Sequence, residues 1–351
     1  MKKIQILESS NQYLDSRINI LEIPKPRELE DLRLYVLEEL DFSQLSELEI
    51  FLKVMNWVSL RWKHDGINDA GDISSLEILN RASKGESFRC VEYAKVAKDI
   101  LLSMGYIARS ISIQSENADY GGFGQSHVVT EVWSNELKKW IFFDPQLNCY
   151  ATVNNIPLSY YEVFKEFKDT SFVFLDKEAK IDEKKYREFI KNYFGYIKIE
   201  CMLNGIKSQL YLHLKGERQL LAFQAMPLSN AIFTTKIGNI YFNPNNTSIL
   251  FEYKDKVDAV KIIKENNFNS LENIKENLHL FCVKPNFILK FITNTPNFDY
   301  YELQINEDIL IKIKNNEYDW SVEEGIYNIS ICSVNKQGVK GSITTMKIFY
   351  G

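Results

Sequence analysis

Three residues far apart in the chain carry side chains that together could catalyse acyl transfer. Cys90 is the candidate nucleophile, His127 the candidate base, and Asp144 the candidate group that orients the base. A thiol attacks an amide efficiently only when a base removes its proton and a third group holds that base. These residue types therefore predict a cysteine catalytic triad, provided that the fold brings them together.

The sequence around Cys90 predicts that this residue lies in the first turn of an α-helix. The helix is predicted to start near Ser87 and to end at Gly105, and its apolar stripe consists of Cys90, Ala94, Ala97, Leu101 and Met104. Unpaired backbone N–H groups at a helix start favour a thiolate and can hold an oxyanion. Because Cys90 lies on the apolar stripe, a buried cysteine without a catalytic role is the competing interpretation.

His127 and Asp144 lie in two strand-like runs, 127–133 and 140–143, that are separated by a polar turn. A hairpin folded about the bond between Asn135 and Glu136 would make His127 and Asp144 direct cross-strand neighbours on one face. The carboxylate would then orient the imidazole and stabilise its protonated form. A slip of one residue would send the two side chains to opposite faces.

The remaining pattern predicts an α+β segment followed by β-structure. Predicted helix starts carry capping residues at Ser46, Ser74, Ser159 and Asp182. Beyond Tyr196 the helical period gives way to short runs rich in Ile, Phe and Tyr. We expect an α+β domain over 1–195, a β-rich extension over 196–264, and a β-sandwich of immunoglobulin-like or fibronectin-like type over 265–351.

Four sequence blocks resemble transglutaminase-like proteins, in the same order along the chain. Residues 85–94 resemble the nucleophile helix of that family, and 104–109 resemble the strand that follows it. Residues 127–133 resemble the histidine strand, and 139–145 resemble the aspartate strand that ends in Asp-Pro. The resemblance extends over roughly residues 45–165.

The resemblance implies a papain-like fold whose members include peptidases, amidases and protein cross-linking acyltransferases. It gives Cys90 the position of the nucleophile, His127 that of the base, and Asp144 that of the orienting group. The chain departs from the family's pattern at 128–129, where two valines follow the histidine instead of a small residue and an aromatic one. This departure is expected to change the substrate cleft.

A second departure concerns the oxyanion site. Phe and Arg precede the cysteine at 88–89, where Gly or Gln is more familiar in the family, so the second oxyanion donor is left unassigned. An indole N–H from Trp57 or Trp62 is a candidate donor, although core packing is the more ordinary role of a tryptophan.

Charge and composition argue against several classes of function. The 351 residues carry a formal net charge of −5 and form no basic cluster with aromatic residues, so we expect no nucleic-acid partner. Five cysteines without a CxxC pair and only four histidines predict no metal site, no cofactor and no disulfide framework. The chain contains no membrane-length apolar run and no signal-peptide pattern, which leaves a cytoplasmic location and export after processing both open.

Several other residues were weighed as candidates. Cys149 is predicted to lie near Asp144 without an assigned role, and Cys201, Cys282 and Cys332 are predicted to be core residues. The glycine-rich loop 121–124 is compatible with a lid over the cleft, although a solvent-exposed connection is the simpler interpretation.

The predicted function is cysteine-dependent acyl transfer from a peptide or amide substrate. Water as acyl acceptor would make the protein a hydrolase, and an amine would make it a cross-linking enzyme. The composition and the appended sandwich favour a cell-surface or peptide-processing context, so hydrolysis is preferred by analogy. The non-enzymatic alternative is a module that retains the fold and binds a peptide, a glycan or another cell-surface component without turnover.

Overall fold

The protein is described by a computed structural model that covers residues 2–12, 18–19, 24–116, 118, 124–176, 181–203, 206–216, 230–295 and 297–351. Of the loop that was considered as a lid, 121–123 lie outside the described residues. The chain divides into two compact units, one formed by 1–14 with 245–351 and the other by 15–244.

The helices and strands are numbered along the chain. The α-helices are α1 Pro26–Glu39, α2 Glu47–Ser59, α3 Ser75–Ala82, α4 Cys90–Ser103, α5 Tyr160–Lys165, α6 Glu183–Lys191, α7 Ala259–Glu265 and α8 Leu271–Glu276. The strands are β1 Ile4–Ser9, β2 Ile18–Asn19, β3 Ala108–Gln114, β4 Ser126–Ser134, β5 Lys139–Asp144, β6 Cys149–Val153, β7 Ile156–Pro157, β8 Ser171–Phe174, β9 Tyr196–Leu203, β10 Ile206–His213, β11 Ala231–Thr234, β12 Thr247–Tyr253, β13 Asn286–Thr293, β14 Phe298–Ile305, β15 Ile311–Ile313, β16 Glu317–Ser321, β17 Gly325–Asn335 and β18 Thr344–Tyr350. Short 3₁₀ helices span Ile237–Asn239 and Leu278–Phe281.

The larger unit is built on one ten-stranded sheet with helices on both faces. Its strands run in the order β11-β10-β9-β3-β4-β5-β6-β7, while β2 pairs with β9 and β8 with β6. On β4, Val129 and Trp133 belong to the core that contains α5 and α6, whereas Val132 belongs to the core that contains α1 to α4. Because both faces are covered, an uninterrupted apolar run such as that of β5 is buried throughout. This arrangement confirms the predicted α+β class.

The smaller unit is a pair of sheets that share one core. A five-stranded sheet has the order β1-β18-β17-β14-β15, and a three-stranded sheet has the order β12-β13-β16. Leu289, Leu303 and Ile331, which come from both sheets, belong to a single buried cluster. The N-terminal strand β1 joins this unit by pairing with β18. The immunoglobulin-like or fibronectin-like type and the division at 195 and 264 stay predictions.

The helix starts follow the predicted capping residues. Ser46 and Ser159 form reciprocal capping boxes at the starts of α2 and α5, and Asp182 accepts a backbone hydrogen bond at the start of α6. The nucleophile helix α4 begins at Cys90, three residues later than predicted, and Gly105 follows its end with a φ of +93°. The prediction that Cys90 lies in the first turn is confirmed.

The hairpin of β4 and β5 has a different register from the predicted one. Thr130 faces Phe143, and residues 135–138 form a four-residue turn. The prediction that His127 and Asp144 are direct cross-strand neighbours was therefore wrong by two residues. A shift by an even number leaves every side chain on its face, so the two residues become diagonal neighbours on the same side of the sheet. Diagonal neighbours remain within reach of long side chains.

Glu47, the first residue of α2, fixes the turn of this hairpin. Its buried carboxylate accepts a hydrogen bond from Ser134 Oγ at 2.6 Å. It also accepts hydrogen bonds from the backbone N–H groups of Asn135 at 3.0 Å and Glu136 at 3.2 Å. A four-residue turn whose last residue, Lys138, has a φ of +52° presents these donors to one carboxylate. The register thus depends on a residue far away in the sequence.

We expect Glu47→Gln to destabilise the protein more than Glu49→Gln, although both changes remove one charge from the first turn of α2. An amide offers one acceptor oxygen instead of two, so a donor of the turn loses its partner at a cost of about 1–2 kcal/mol. The capping box at Glu49 tolerates glutamine. Urea unfolding followed by tryptophan fluorescence measures the difference, and equal losses in the two variants would contradict the role of Glu47.

Candidate active site

The structure brings Cys90, His127 and Asp144 together. His127 Nε2 lies 2.8 Å from Asp144 Oδ2, and the Cys90 thiol lies close enough to the same imidazole that each group shifts the pKa of the other. Because Nε2 faces the carboxylate, Nδ1 is the ring nitrogen that remains for the sulfur. The three groups therefore form a row of thiol, imidazole and carboxylate, which is the order that proton transfer from the thiol requires.

The row forms where β5 ends. α4 packs on one face of the sheet, and the side chains of His127 and Asp144 belong to the other face. The described pairing of β4 with β5 begins at Thr130, so the preceding residues of β4 have no partner on that side. At this gap the backbone N–H of Val128 lies near the Cys90 sulfur and lowers the pKa of the thiol. Because β5 ends here, the Cys90 sulfur, which comes from α4 on one face of the sheet, can reach the imidazole on the other face.

The start of α4 leaves the backbone of Cys90 available. Glu92 accepts a hydrogen bond from the backbone N–H of Arg89 at 3.1 Å and pairs with the Arg89 guanidinium at 2.9 Å. The Cys90 N–H, in contrast, has no acceptor among the described residues. Since the first N–H groups of a helix also carry its positive dipole end, this group can donate to an oxyanion formed next to the sulfur.

The Asp144 carboxylate is completely buried and accepts three hydrogen bonds. One oxygen, Oδ2, accepts from His127 Nε2 and from the Tyr186 hydroxyl at 3.0 Å. The other oxygen, Oδ1, accepts from the Leu147 backbone N–H at 3.2 Å. Donors of this kind stabilise a buried negative charge and fix its orientation, so the imidazole meets a rigid carboxylate.

The pKa values of Cys90 and His127 are shifted in opposite directions. Burial raises the pKa of the Cys90 thiol, but the hydrogen bond and charge of His127 and the Val128 N–H outweigh burial and lower it below its ordinary value. Burial would lower the pKa of His127, but the charge and hydrogen bond of Asp144, followed by those of Cys90, raise it to about 10. These directions favour a thiolate–imidazolium pair at neutral pH.

The other cysteines have different surroundings. Burial and the charge of Asp144 raise the pKa of the Cys149 thiol well above its ordinary value, so this neighbour of the site stays protonated. Cys201 and Cys332 are buried, as predicted, whereas Cys282 is exposed and follows a 3₁₀ helix. The prediction that Cys282 is a core residue was wrong, because it caps a surface turn instead of lying in a strand. All five thiols are free.

Three aromatic residues on or just after α6 surround the imidazole, and the sequence prediction had assigned them no role. The ring of Phe189 lies 5.1 Å from the His127 ring in an edge-on arrangement, and that of Tyr193 lies at 6.0 Å. The third, Tyr186, donates to Asp144. Their spacing of three and four residues places them on one face of the helix predicted after Asp182, which is the signal that could have identified them.

The two tryptophans predicted as candidate oxyanion donors, Trp57 and Trp62, differ in the partner of the indole N–H group. The Trp57 indole N–H donates to the Glu39 carboxylate at 2.9 Å, so it is already engaged. Trp62 is buried against the rings of Phe88 and Tyr93, and its indole N–H has no partner among the described residues. Both surroundings are those of core tryptophans, and the second oxyanion donor stays unassigned.

Within the described ranges, no three or more His, Cys, Asp or Glu side chains are grouped so that they could hold a metal ion. No helix in the same ranges is both long and apolar enough to span a bilayer.

The row of thiol, imidazole and carboxylate lies at the start of α4 and the end of β5. Residues 36–145, which include all three side chains, match the model of a family described as the Transglutaminase-like superfamily. The resemblance found in the sequence is thereby confirmed, and the match supports cysteine-dependent acyl transfer in general.

Comparison with known proteins adds little beyond this family. Among solved structures, the chain is similar to a red sea bream transglutaminase with 10% sequence identity and a TM-score of 0.25, over 90% of this chain and 72% of that one. A likeness at this TM-score carries no argument about fold or activity. No curated protein matches the chain.

We expect Cys90 to be alkylated by iodoacetamide at neutral pH faster than the exposed Cys282. The lowered pKa of Cys90 keeps its thiolate as the pH falls below the ordinary thiol range near 8.5. The imidazolium, whose pKa is raised to about 10, is lost only at alkaline pH, so the reactive pair persists between these limits. Peptide mapping by mass spectrometry gives both rates. His127→Ala is expected to slow Cys90 at neutral pH by about tenfold or more, and unchanged kinetics would argue against the ion pair.

We expect Tyr186→Phe to affect the site more than Tyr160→Phe, although both hydroxyls are completely buried. The Tyr186 hydroxyl donates to a carboxylate and the Tyr160 hydroxyl to a backbone carbonyl at 3.0 Å. Hydrogen bonds to charged groups contribute about 1.5–3 kcal/mol, compared with about 0.5–1.5 kcal/mol for neutral ones. Thermal unfolding compares the stabilities, and the pH profile of Cys90 alkylation is expected to shift only in Tyr186→Phe. A shift of equal size in both variants would mean that Tyr186 is merely a packing residue.

Proposed function

We propose that the protein catalyses cysteine-dependent acyl transfer from a peptide or amide substrate, with water as the preferred acceptor. The observation that carries this proposal is the row of Cys90, His127 and Asp144, in which the thiol adjoins an imidazole that is itself held by a buried carboxylate. A protein that only bound a ligand would have no need of an activated thiolate beside an imidazolium.

The first half of the reaction forms a thioester. The Cys90 thiolate attacks the carbonyl carbon of the amide, and the carbonyl oxygen becomes an oxyanion next to the free backbone N–H of Cys90. The imidazolium of His127 gives its proton to the leaving nitrogen, and the C–N bond breaks to release an amine. Asp144 orients the imidazolium through its hydrogen bond to Nε2 and stabilises the positive charge.

The second half resolves the thioester. Neutral His127 takes a proton from water, the resulting hydroxide attacks the acyl carbon, and the C–S bond breaks to regenerate the thiolate with a carboxylic acid as product. An amine that attacked in place of water would give a new amide, which is the cross-linking outcome. The two outcomes share every protein group named here, so they differ only in the acceptor.

A glutamine peptide offered with and without a primary amine distinguishes these outcomes. We expect mass spectrometry to detect conversion of glutamine to glutamate in both reactions, because water is the proposed acceptor. Incorporation of the amine as the main product would replace hydrolysis by cross-linking. Other amide peptides extend the test if the glutamine side chain is not the substrate.

Variants of the site provide the controls for this experiment. Cys90→Ala is expected to abolish turnover, and Asp144→Asn to lower kcat/KM by about 10²–10⁴-fold, because an amide can hold the wrong imidazole tautomer. If Cys90→Ala turned over as fast as the unmodified protein, the proposed role of Cys90 would be wrong. If Cys90 had the reactivity of an ordinary thiol and was unaffected by His127→Ala, the non-catalytic binding module would be the better description.

A further inference from the structure

A cavity of about 730 Å³ begins beside the proposed nucleophile. Two of its lining residues are neighbours of the site along the chain, since Val91 follows Cys90 and Val128 follows His127. The backbone N–H of Val128 also lies near the Cys90 sulfur, where it lowers the pKa of the thiol. Cys90 itself does not line the cavity, so a substrate whose carbonyl lies at the sulfur would enter the cavity past Val91 and Val128.

Away from the sulfur, the cavity is lined by residues that pair across three neighbouring strands. Val128 on β4 faces Ser112 on β3, and Ser112 in turn faces Lys198 on β9. Directly paired residues project from the same face of a sheet, and all three line the cavity. Neighbouring strands are about 4.8 Å apart, so Lys198 lies about 10 Å across the sheet from Val128.

Most cations of this cavity already have partners. The partnered ones are Lys25 with Glu28 at 3.8 Å, Lys95 with the Ile73 carbonyl at 2.7 Å, Lys98 with Asp99 at 3.1 Å, and Arg109 with Glu131 at 2.6 Å. The Lys198 ammonium, in contrast, has no hydrogen bond or ion pair with any residue that the structure describes. Its neighbour on the same strand, Glu200, pairs with Lys207 at 3.3 Å.

A half-buried ammonium group without a partner is unfavourable. Burial lowers the pKa of Lys198, and the charge of Glu200 offsets this only in part. The other unpaired charge that lines the cavity, among the described residues, belongs to Asp72, which is exposed and solvated by water. An anion placed against Lys198 would therefore gain more than an anion or cation at the rim.

We propose that Lys198 binds a carboxylate of the acyl donor, located about 10 Å across the sheet from Val128, the residue that follows His127. This inference rests on the proposed function and adds a substrate class to it, namely peptides or amides with an acidic group at that distance. Ser112 lies between the two ends of the path, where its hydroxyl can contact the intervening backbone of the substrate.

Two thiol-directed probes test the inference without requiring turnover. Bromoacetyl-Gly-Gly with a free C-terminal carboxylate and the same compound as its C-terminal carboxamide differ only in charge. Each spans about 10 Å when extended, which is comparable to the distance across the sheet from Val128 to Lys198. The second-order rate of Cys90 alkylation is measured for both by mass spectrometry, and the ratio of the two rates is the readout.

We expect the carboxylate probe to react about tenfold faster than the carboxamide in the unmodified protein, a factor that corresponds to about 1.4 kcal/mol. Lys198→Met is expected to bring the ratio near one while leaving the carboxamide rate unchanged, and Lys198→Arg to preserve the preference. Lys198→Gln provides a second neutral variant if the methionine variant folds poorly. Lys95→Met is the matched control, because it removes the same charge from the same cavity at a lysine that already has a partner.

Each outcome decides the question. A ratio near one in the unmodified protein, or a preference that survives in Lys198→Met and Lys198→Gln, would overturn the inference. An equal loss in Lys95→Met would overturn it as well, since the effect would then come from the general charge of the cavity. If Cys90 reacted with neither probe, the proposed function itself would fail. Reaction with both probes at equal rates would leave that function intact and reject only the role of Lys198.

Discussion

The buried negative charge of Asp144 is the constraint on which the site depends. A carboxylate without access to water is stable only when donors surround it, and here the imidazole, the Tyr186 hydroxyl and the Leu147 N–H supply them. The charge raises the pKa of His127, and the resulting imidazolium lowers the pKa of Cys90. The lowered pKa of the thiol therefore depends on the imidazolium that Asp144 stabilises, although the charge of Asp144 acting directly on Cys90 raises that pKa.

Buried carboxylates that need hydrogen-bond donors also fix the register of the hairpin of β4 and β5, which carries His127 and Asp144. Three carboxylates accept hydrogen bonds along this hairpin. They are Glu47 at the turn, Glu131 in the middle of β4 and Asp144 at the end of β5. Glu131 is completely buried and accepts from the Arg109 guanidinium at 2.6 Å, the Tyr160 backbone N–H at 2.9 Å and the Tyr241 hydroxyl at 3.0 Å. A slip of the strands would remove donors from these carboxylates, and an unpaired buried charge is costly. Together they select one register.

The sequence predicted what local patterns determine. Capping residues located the helices, the position of Cys90 in the first turn of α4 followed from its neighbours, and the order of the motif blocks brought three distant residues into one hypothesis. The hairpin register was missed because Asn135 and Glu136 form a weak turn signal, whereas the decisive contact comes from Glu47. Tyr186 was missed for a similar reason, since a helix face shows that a residue is buried but not which atom it contacts. Local sequence patterns could not predict these hydrogen bonds, because the two partners of each bond lie far apart in the sequence.

In the proposed function, the groups for proton transfer and those for substrate recognition lie on opposite faces of the sheet. His127, Asp144 and the aromatic residues of α6 hold the proton-transfer groups on one face of the sheet, while Val128, Ser112 and Lys198 line the cavity on the other. The two sets meet only at the Cys90 sulfur, because β5 ends at Asp144 and leaves the edge of β4 open there. Side chains of a strand alternate between faces, so a substitution in the cavity changes what is bound without removing a partner of the buried carboxylate. Substrate preference can thus vary on this scaffold while the acidity of the thiol is preserved.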